Sequence, residues 1–512
     1  MTGRRQARHS PAKRPTPPAR GGSPLAAVVA AVSLAYAAMV AWVWIGRAAY
    51  PYELEWLEGI ALEHVQRLRD GLPLYTAPSL AWVPLNYTPL YFWLSAASAS
   101  LFGETFLAMR LVSMLATAAA AAAMWKLVRF ETGRAAPAWL AVGLFAATYR
   151  LGGGWFDVAR ADSLHLALLL GGALVARTDP SRWRMPLVAG VLFALAFMTK
   201  QTAIVAAGPL VAWLAITDRW RGLVLGAVFV MLSAAGLVAL DAASGGWFRY
   251  YAYVVPSFHP RSMALLWNFP VQDVLRWFAP LLAVVVLALA GRADRDARTR
   301  WGFHFALAAG FVGLAWSLRL YPGGFDNVLL TAHAALALLG ALAFAALTGG
   351  RSWTGPLAAG LVALQLVLVA WNPRAQVPGP GDRAAGDTLV TALRQLDGRV
   401  WCSSHTYLLE RAGRPGHAHV MPLMDVIRDG HGPRERALLA TLRDSLAAHA
   451  WDRAVLDNRD WLADEFIAAG YLPAARVFPD ASVLWPVTGM RTRPEYILVS
   501  PAVAADLGAG RP

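Results

Sequence analysis

PLYFWLSAASASLFG, residues 89–103, is apolar throughout. It falls short of the roughly 17–25 residues that a helix needs to cross a hydrocarbon core. Its reading fixes the orientation of everything after it. Longer or comparable apolar segments lie at about 25–46, 106–128, 135–150, 162–176, 185–199, 201–217, 222–240, 275–291, 301–318, 326–347 and 354–371. If 89–103 lies at the interface, one set of loops falls on the side of the N-terminal tail. Those loops carry Arg129 and Arg134, then Arg177, Arg182 and Arg184, then Arg219 and Arg221, then Arg292, Arg295, Arg298 and Arg300, and finally Arg351. If 89–103 spans, every one of these arginines changes sides. Basic loops stay cytoplasmic, so the segment reads as an interfacial helix.

The reading gives about eleven spans, a cytoplasmic N-terminus and an extracytoplasmic C-terminus. Composition agrees: 57% of the 512 residues are hydrophobic and only 15% charged, against about 25% charged in soluble domains. The net charge of +14 is concentrated in the tail (Arg4, Arg5, Arg8, Lys13, Arg14, Arg20) and in short loops. No basic stripe with interleaved aromatics appears, which argues against a nucleic-acid partner. Residues 1–24, rich in Pro and Arg, read as a disordered basic tail. The run Leu25–Ile45 is longer than a signal-peptide core and lacks a small-x-small cleavage site, so it reads as a retained first helix.

After residue 371 the composition changes. VPGPGD (377–382) reads as a linker, and 372–512 as a small extracytoplasmic α/β domain with strands near 399–403, 453–457 and 495–500. Helices are predicted over 433–448 and 460–469. The single cysteine, Cys402, excludes an intramolecular disulfide. Cys402-x-x-His405 and His417-x-His419 match no standard zinc spacing. They read as a core cysteine and surface histidines, and no metal is assigned.

Ionisable groups at membrane depth mark function by default, and four constellations qualify. In YELEWLEG (52–59), Glu55 and Glu58 fall one turn apart on a predicted helix whose apolar side, with Trp56, Leu57 and Ile60, would lie on the membrane. Either they form a solvated face or they meet a cation or polar substrate; Glu53 reads as solvated. FDVARADSLHLAL (156–168) brings Asp157, Arg160 and Asp162 to the outer end of a span, as a site or as an ion pair fixing helix ends. Lys200, beside Gln201, is one of three lysines among 46 basic residues. It is either a snorkelling side chain or a compact charge for a phosphate. In RLYPGGFDNVLL (319–330), Asp326 and Asn327 open a span, as an N-cap or at an anion site. The aromatic external loop 247–261 adds Arg249, His259 and Arg261.

Taken in order, ELEWLEG, RDGLPLY (69–75), NYTPLYFWLSA (86–96), RLVSMLAT (110–117), ARADSL (159–164), TKQTA (199–203) and GGFDNVLL (323–330) resemble the GT-C superfamily. These are membrane glycosyltransferases using polyprenyl-phosphate sugars, such as protein O-mannosyltransferase and aminoarabinose transferase-like bacterial enzymes. The resemblance covers about residues 25–371, with 47–105 as the catalytic first external loop. It implies inverting transfer from a polyprenyl-phosphate donor to a cell-envelope lipid, glycan or protein at the bilayer's outer face, with no organic cofactor. A first-loop acid would be the general base. The family pattern there is an adjacent Asp-Glu pair, whereas here the acids are spaced; Glu55 is favoured and Glu58 is second. Asp162 corresponds to the family's second acid. Arg160, Lys200 and Arg261 are phosphate candidates, with Tyr87, Gln201, Asp326 and Asn327 also in matching motifs. The competing readings are a flippase for lipid-linked sugars and an O-antigen polymerase or ligase-like enzyme.

Overall fold

The structure is a computed structural model that describes residues 24–290, 295–349, 353–428 and 432–508. The expected tail, up to residue 23, lies outside the described residues, as do Arg292 and Arg351.

Each apolar segment forms a helix. In chain order the first are α1 (Pro24–Arg47), α2 (Glu58–Arg69), α3 (Leu90–Phe102), α4 (Phe106–Thr132), α5 (Ala135–Ala147), α6 (Asp162–Thr178), α7 (Arg184–Thr199), α8 (Ala203–Thr217) and α9 (Arg219–Ala243). The helices Arg276–Ala290, Arg295–Arg319, Leu330–Leu347 and Thr354–Leu368 complete the bundle. The expected count of eleven spans is not confirmed. Among the described residues, 6 helices are long and apolar enough to cross a membrane, or 7 if the bent pair at Thr354–Leu368 and Pro373–Gln395 is one span. The reason is length: α5, α7 and α8 have 13, 16 and 15 residues. At 1.5 Å per residue they fall short of a ~30 Å hydrocarbon core.

The axis of the bundle is Leu330–Leu347, buried along nearly all of its length. Its sequence is apolar on every side, as a helix surrounded by other helices requires. Small residues allow the close packing. A Cβ on Gly340 would lie 2.4 Å from Leu281 Cδ1, and one on Gly143 would lie 2.2 Å from Ser33 Cβ, where α5 crosses α1.

Two buried ion pairs pin the bundle's end. Arg47 at the end of α1 makes paired 2.7 and 2.6 Å bonds to Asp157 and donates to the Gly154 carbonyl. Arg110 on α4 grips Glu58 at the start of α2, with 3.0 and 2.6 Å bonds. Such pairs need nearly complete hydrogen bonding to offset desolvation, and both have it. Tyr149 donates to Asp157 at 2.9 Å. Arg110 also donates to the Tyr50 and Tyr52 carbonyls.

The C-terminal region is built around a four-stranded sheet of order β1-β2-β4-β3, from β1 (Val400–Cys402), β2 (Arg453–Asp457), β3 (Leu472–Arg476) and β4 (Pro494–Val499). β1 and β2 are parallel, and the other pairs antiparallel. The helices Pro433–Ala447 and Ala463–Ala468 fall where expected. The expected linker at 377–382 instead starts a helix, Pro380–Gln395: Pro380 takes the first helical position, where a missing N–H costs nothing, and Asp382 accepts from the Gly379 N–H.

α2 is a second correction. Rather than lying on a membrane surface, its first two turns, Glu58–Val65, are buried on all sides. α3 and α4 flank them, and the short helix Tyr407–Arg411 of the C-terminal domain covers them.

Candidate functional site

At the end of the bundle beneath the C-terminal domain lies a cavity of about 630 Å³. Separate chain segments build it, five of them from the helical bundle and its connections. Glu55 and Trp56 come from the turn before α2, Tyr87 from the stretch before α3, and Trp155 and Arg160 from the α5–α6 connection. Lys200 and Gln201 come from the α7–α8 junction, and residues 318–328 bring Tyr321 and Asn327. The rest of the wall is largely apolar, including Leu57, Pro256, Leu318, Phe325 and Val328.

The polar groups form two hydrogen-bonded sets that meet at the Tyr87 ring. Glu55 Oε2 accepts from Arg160 Nη1 at 2.9 Å and from the Leu57 N–H at 3.2 Å. Arg160 Nη2 donates to the Tyr87 hydroxyl at 3.0 Å. Both Arg160 and Lys200 approach the Tyr87 ring, at 5.6 and 5.4 Å from its centroid. Lys200 Nζ donates to Asp162 Oδ1 at 2.8 Å, and the Asn327 amide donates to the same oxygen at 2.9 Å. Gln201 is held by its amide's 2.9 Å bond to the Ala252 carbonyl. Among the described residues, the second oxygen of Glu55 has no hydrogen-bond partner although it is buried.

Glu55 and Glu58 part company here. Glu55 precedes the helix, so the two acids do not share a helical face. Glu58 points away from the cavity and accepts from Arg110, the Leu54 N–H at 2.7 Å and the Ala159 N–H at 2.6 Å. Burial pushes the Glu55 carboxyl up to about 8, with Arg160 pulling the other way. For Glu58 burial also pushes upward, but Arg110 and the two backbone N–H groups outweigh it and hold the carboxyl below its usual range. One acid can exchange a proton near neutrality; the other is a fixed anion.

Glu53 is not solvated. It is buried against His405 of the C-terminal domain, and its Oε1 accepts the Gly59 N–H at 2.9 Å. Nor are the histidines at 405, 417 and 419 on the surface; all three are buried. His417 stacks on Trp401 at 3.8 Å, and His419 caps a helix by accepting from the Met421 N–H at 3.1 Å.

Of the residues singled out in the sequence, the cavity brings together Glu55, Tyr87, Arg160, Lys200, Gln201, His259 and Asn327. Asp162 stands behind Lys200 as its anchor. Arg261 is exposed and outside the lining, and Asp326 is exposed and paired with Arg319 at 2.7 Å. Arg160 pairs with Glu55 rather than with a neighbouring aspartate, because Asp157 is taken by Arg47. Sequence reasoning missed the contribution of the C-terminal domain: Met421, Met424, Asp425, Arg428, Trp461 and Met490 also line the cavity. No local pattern marks them, since they come from separate loops and a short helix.

Part of the sequence and the overall fold have counterparts among known proteins. Residues 86–247 match the family described as dolichyl-phosphate-mannose-protein mannosyltransferase. No curated protein matches the sequence. In fold, the chain is similar to the apo crystal structure of ArnT from Cupriavidus metallidurans, with a TM-score of 0.60 at 12% identity, over 93% of this chain and 99% of that one. The structure of ArnT bound to undecaprenyl phosphate gives the same score and identity over 91% and 97% of the two chains. A cryo-EM structure of the arabinofuranosyltransferase AftD from Mycobacteria aligns with a TM-score of 0.51 at 18% identity, over 93% of this chain but 41% of AftD. The chain thus has the fold of the ArnT structures and carries, at residues 86–247, a segment similar to the mannosyltransferase family.

Proposed function

We propose that the protein is an integral membrane glycosyltransferase that moves a sugar from a polyprenyl phosphate to a cell-envelope acceptor, on the face that carries the C-terminal domain. The observation that carries this reading is the meeting, in one largely apolar cavity, of two buried cations, Arg160 and Lys200, with a buried carboxylate, Glu55, that keeps one oxygen unpartnered.

The apolar wall suits the first isoprene units of the carrier. Arg160 and Lys200 bind its phosphate, and Asp162 with Asn327 keeps the Lys200 ammonium in place. Glu55 takes the proton of the acceptor hydroxyl. The acceptor oxygen forms its bond to the anomeric carbon as the bond from that carbon to the phosphate oxygen breaks, and the configuration inverts. Polyprenyl phosphate leaves with the electron pair, and the two cations stabilise its added charge. Deprotonation of the hydroxyl and departure of the phosphate are served by different groups, so neither has to change role during the reaction.

The test is transfer by the purified protein from a labelled polyprenyl-phosphate sugar to lipid and glycan fractions of the source envelope. Labelled product from the wild type, and none from Glu55→Gln, is the expected result. Undiminished transfer by Glu55→Gln would remove it as the base, and no transfer by the wild type to any fraction would overturn the reading.

A further inference from the structure

The C-terminal domain touches the segment around Glu55 at three separate points. First, the Thr488 N–H donates to the Leu54 carbonyl at 3.1 Å, forming an isolated parallel bridge between Glu55 and Thr488. The Thr488 hydroxyl also donates to the Gly153 carbonyl, in the connection that leads to Arg160. Second, Gly489 lies directly against Glu55. A Cβ there would stand 2.8 Å from Glu55 Oε1, 3.0 Å from its Cγ and 3.1 Å from Trp56 Cδ1, and the residue has φ +76°. Only glycine combines that conformation with so close an approach. Third, Glu53 is bound to His405, whose other ring nitrogen lies 3.5 Å from Asp457 Oδ1 on β2.

These contacts are not ordinary domain packing. They converge on a stretch of a few residues, and the Glu55 oxygen nearest to where a Cβ on Gly489 would stand is the one without a hydrogen-bond partner among the described residues. The Glu53–His405 pair is also chemically committed. Burial opposes a charged imidazole, but Glu53 and Asp457 carry His405 up to about 9, so it stays protonated between two acids. Breaking one side of such a buried pair leaves an uncompensated charge.

We propose that the C-terminal domain is a working part of the catalytic centre, with Gly489, Thr488 and His405 as positioning residues that set the orientation of Glu55. The inference rests on Glu55 being the base. Gly489 fixes the carboxylate against Arg160 by occupying the space behind it. Thr488 ties the Glu55 strand to the connection that bears Arg160. His405 holds the loop two residues upstream, through Glu53.

The experiment uses the full-length protein in detergent or nanodiscs. Gly489→Ala forces the carboxylate or the loop to move. It is expected to lower kcat at least tenfold, leave the donor KM within twofold, and move the pH midpoint of kcat. It should also speed amide exchange over residues 54–60, where the Leu57 N–H bonds to Glu55. His405→Gln is expected to speed exchange at the same residues, because the Gly59 N–H bonds to Glu53. If Gly489→Ala does not fold, Thr488→Val removes one tie without a clash and should lower kcat severalfold with the same exchange signature. Wild-type kcat, pH midpoint and exchange in the folded variants would overturn the inference while leaving the transferase reading intact. If the wild type itself transfers no sugar, the transferase reading fails. The exchange measurement then decides the positioning of residues 54–60 alone: faster exchange supports it, and unchanged exchange overturns it.

Discussion

Two charge clusters sit within a few residues of each other in this molecule, and they are built on opposite principles. The Glu58–Arg110 node is closed. Both carboxylate oxygens accept two hydrogen bonds, and the guanidinium spends its remaining donors on backbone carbonyls. The Glu55–Arg160–Lys200 cluster is open: one carboxylate oxygen has no partner among the described residues, and two cations approach a single tyrosine ring beside a cavity. A closed cluster holds a fold together, whereas an open one keeps capacity for a substrate. Buried acids in a membrane protein therefore cannot be ranked by burial alone; the count of satisfied lone pairs separates them.

The comparison can be broken most sharply by exchanging the two kinds of loss. Glu55→Gln should cut transfer by about 10²–10⁴-fold, the usual share of a general base, while thermal unfolding in detergent stays near that of the wild type. Arg110→Ala should do the reverse in kind. It strands Glu58 and is expected to destabilise the fold by about 3–5 kcal/mol, seen as a lower unfolding temperature and poor recovery from membranes. A stable Arg110→Ala protein would mean that the node is not closed after all.

Smaller effects sharpen the open cluster. Lys200→Ala should raise the donor KM by roughly tenfold, about 1.4 kcal/mol, through loss of a phosphate contact. It also frees Asp162, so Lys200→Arg is the better control, and kinetics with varied donor would check both. Activity should rise with pH through about 8, because Glu55 serves as base only when deprotonated and burial holds its carboxyl up to about that value. A rate that is flat from pH 6 to 9 would point to another base. Arg261→Ala should change the rate less than twofold, since that side chain is exposed and outside the cavity lining.

Much of this was legible in the chain, and unevenly so. The apolar segments announce their helices because a buried or lipid-facing helix needs only composition and length. The odd lysine at 200 and the acids of YELEWLEG stand out for the same reason, as costly groups in an apolar context. Span number was less legible, since α5, α7 and α8 are apolar enough but too short. Glu53 looked solvated because its partner, His405, lies 352 residues away. The histidines looked superficial because nothing near them in sequence reveals the Trp401 ring or the helix they cap.

By itself the sequence determined that this is a helical, apolar chain with a few expensive charges near the ends of its helices, followed by a small mixed α/β region. Hydrophobic length and residue type are local properties, and they act before the chain folds. Only the tertiary structure decided which charge does what. Glu55 and Glu58 are the same residue three positions apart. One meets an arginine from α4 and two backbone N–H groups, and becomes a fixed anion. The other meets a single N–H, a cation facing a cavity, and a glycine from the far end of the chain. A carboxylate's chemistry is set by how many of its lone pairs are filled and by how far water is excluded, and both depend on groups that only folding brings within reach.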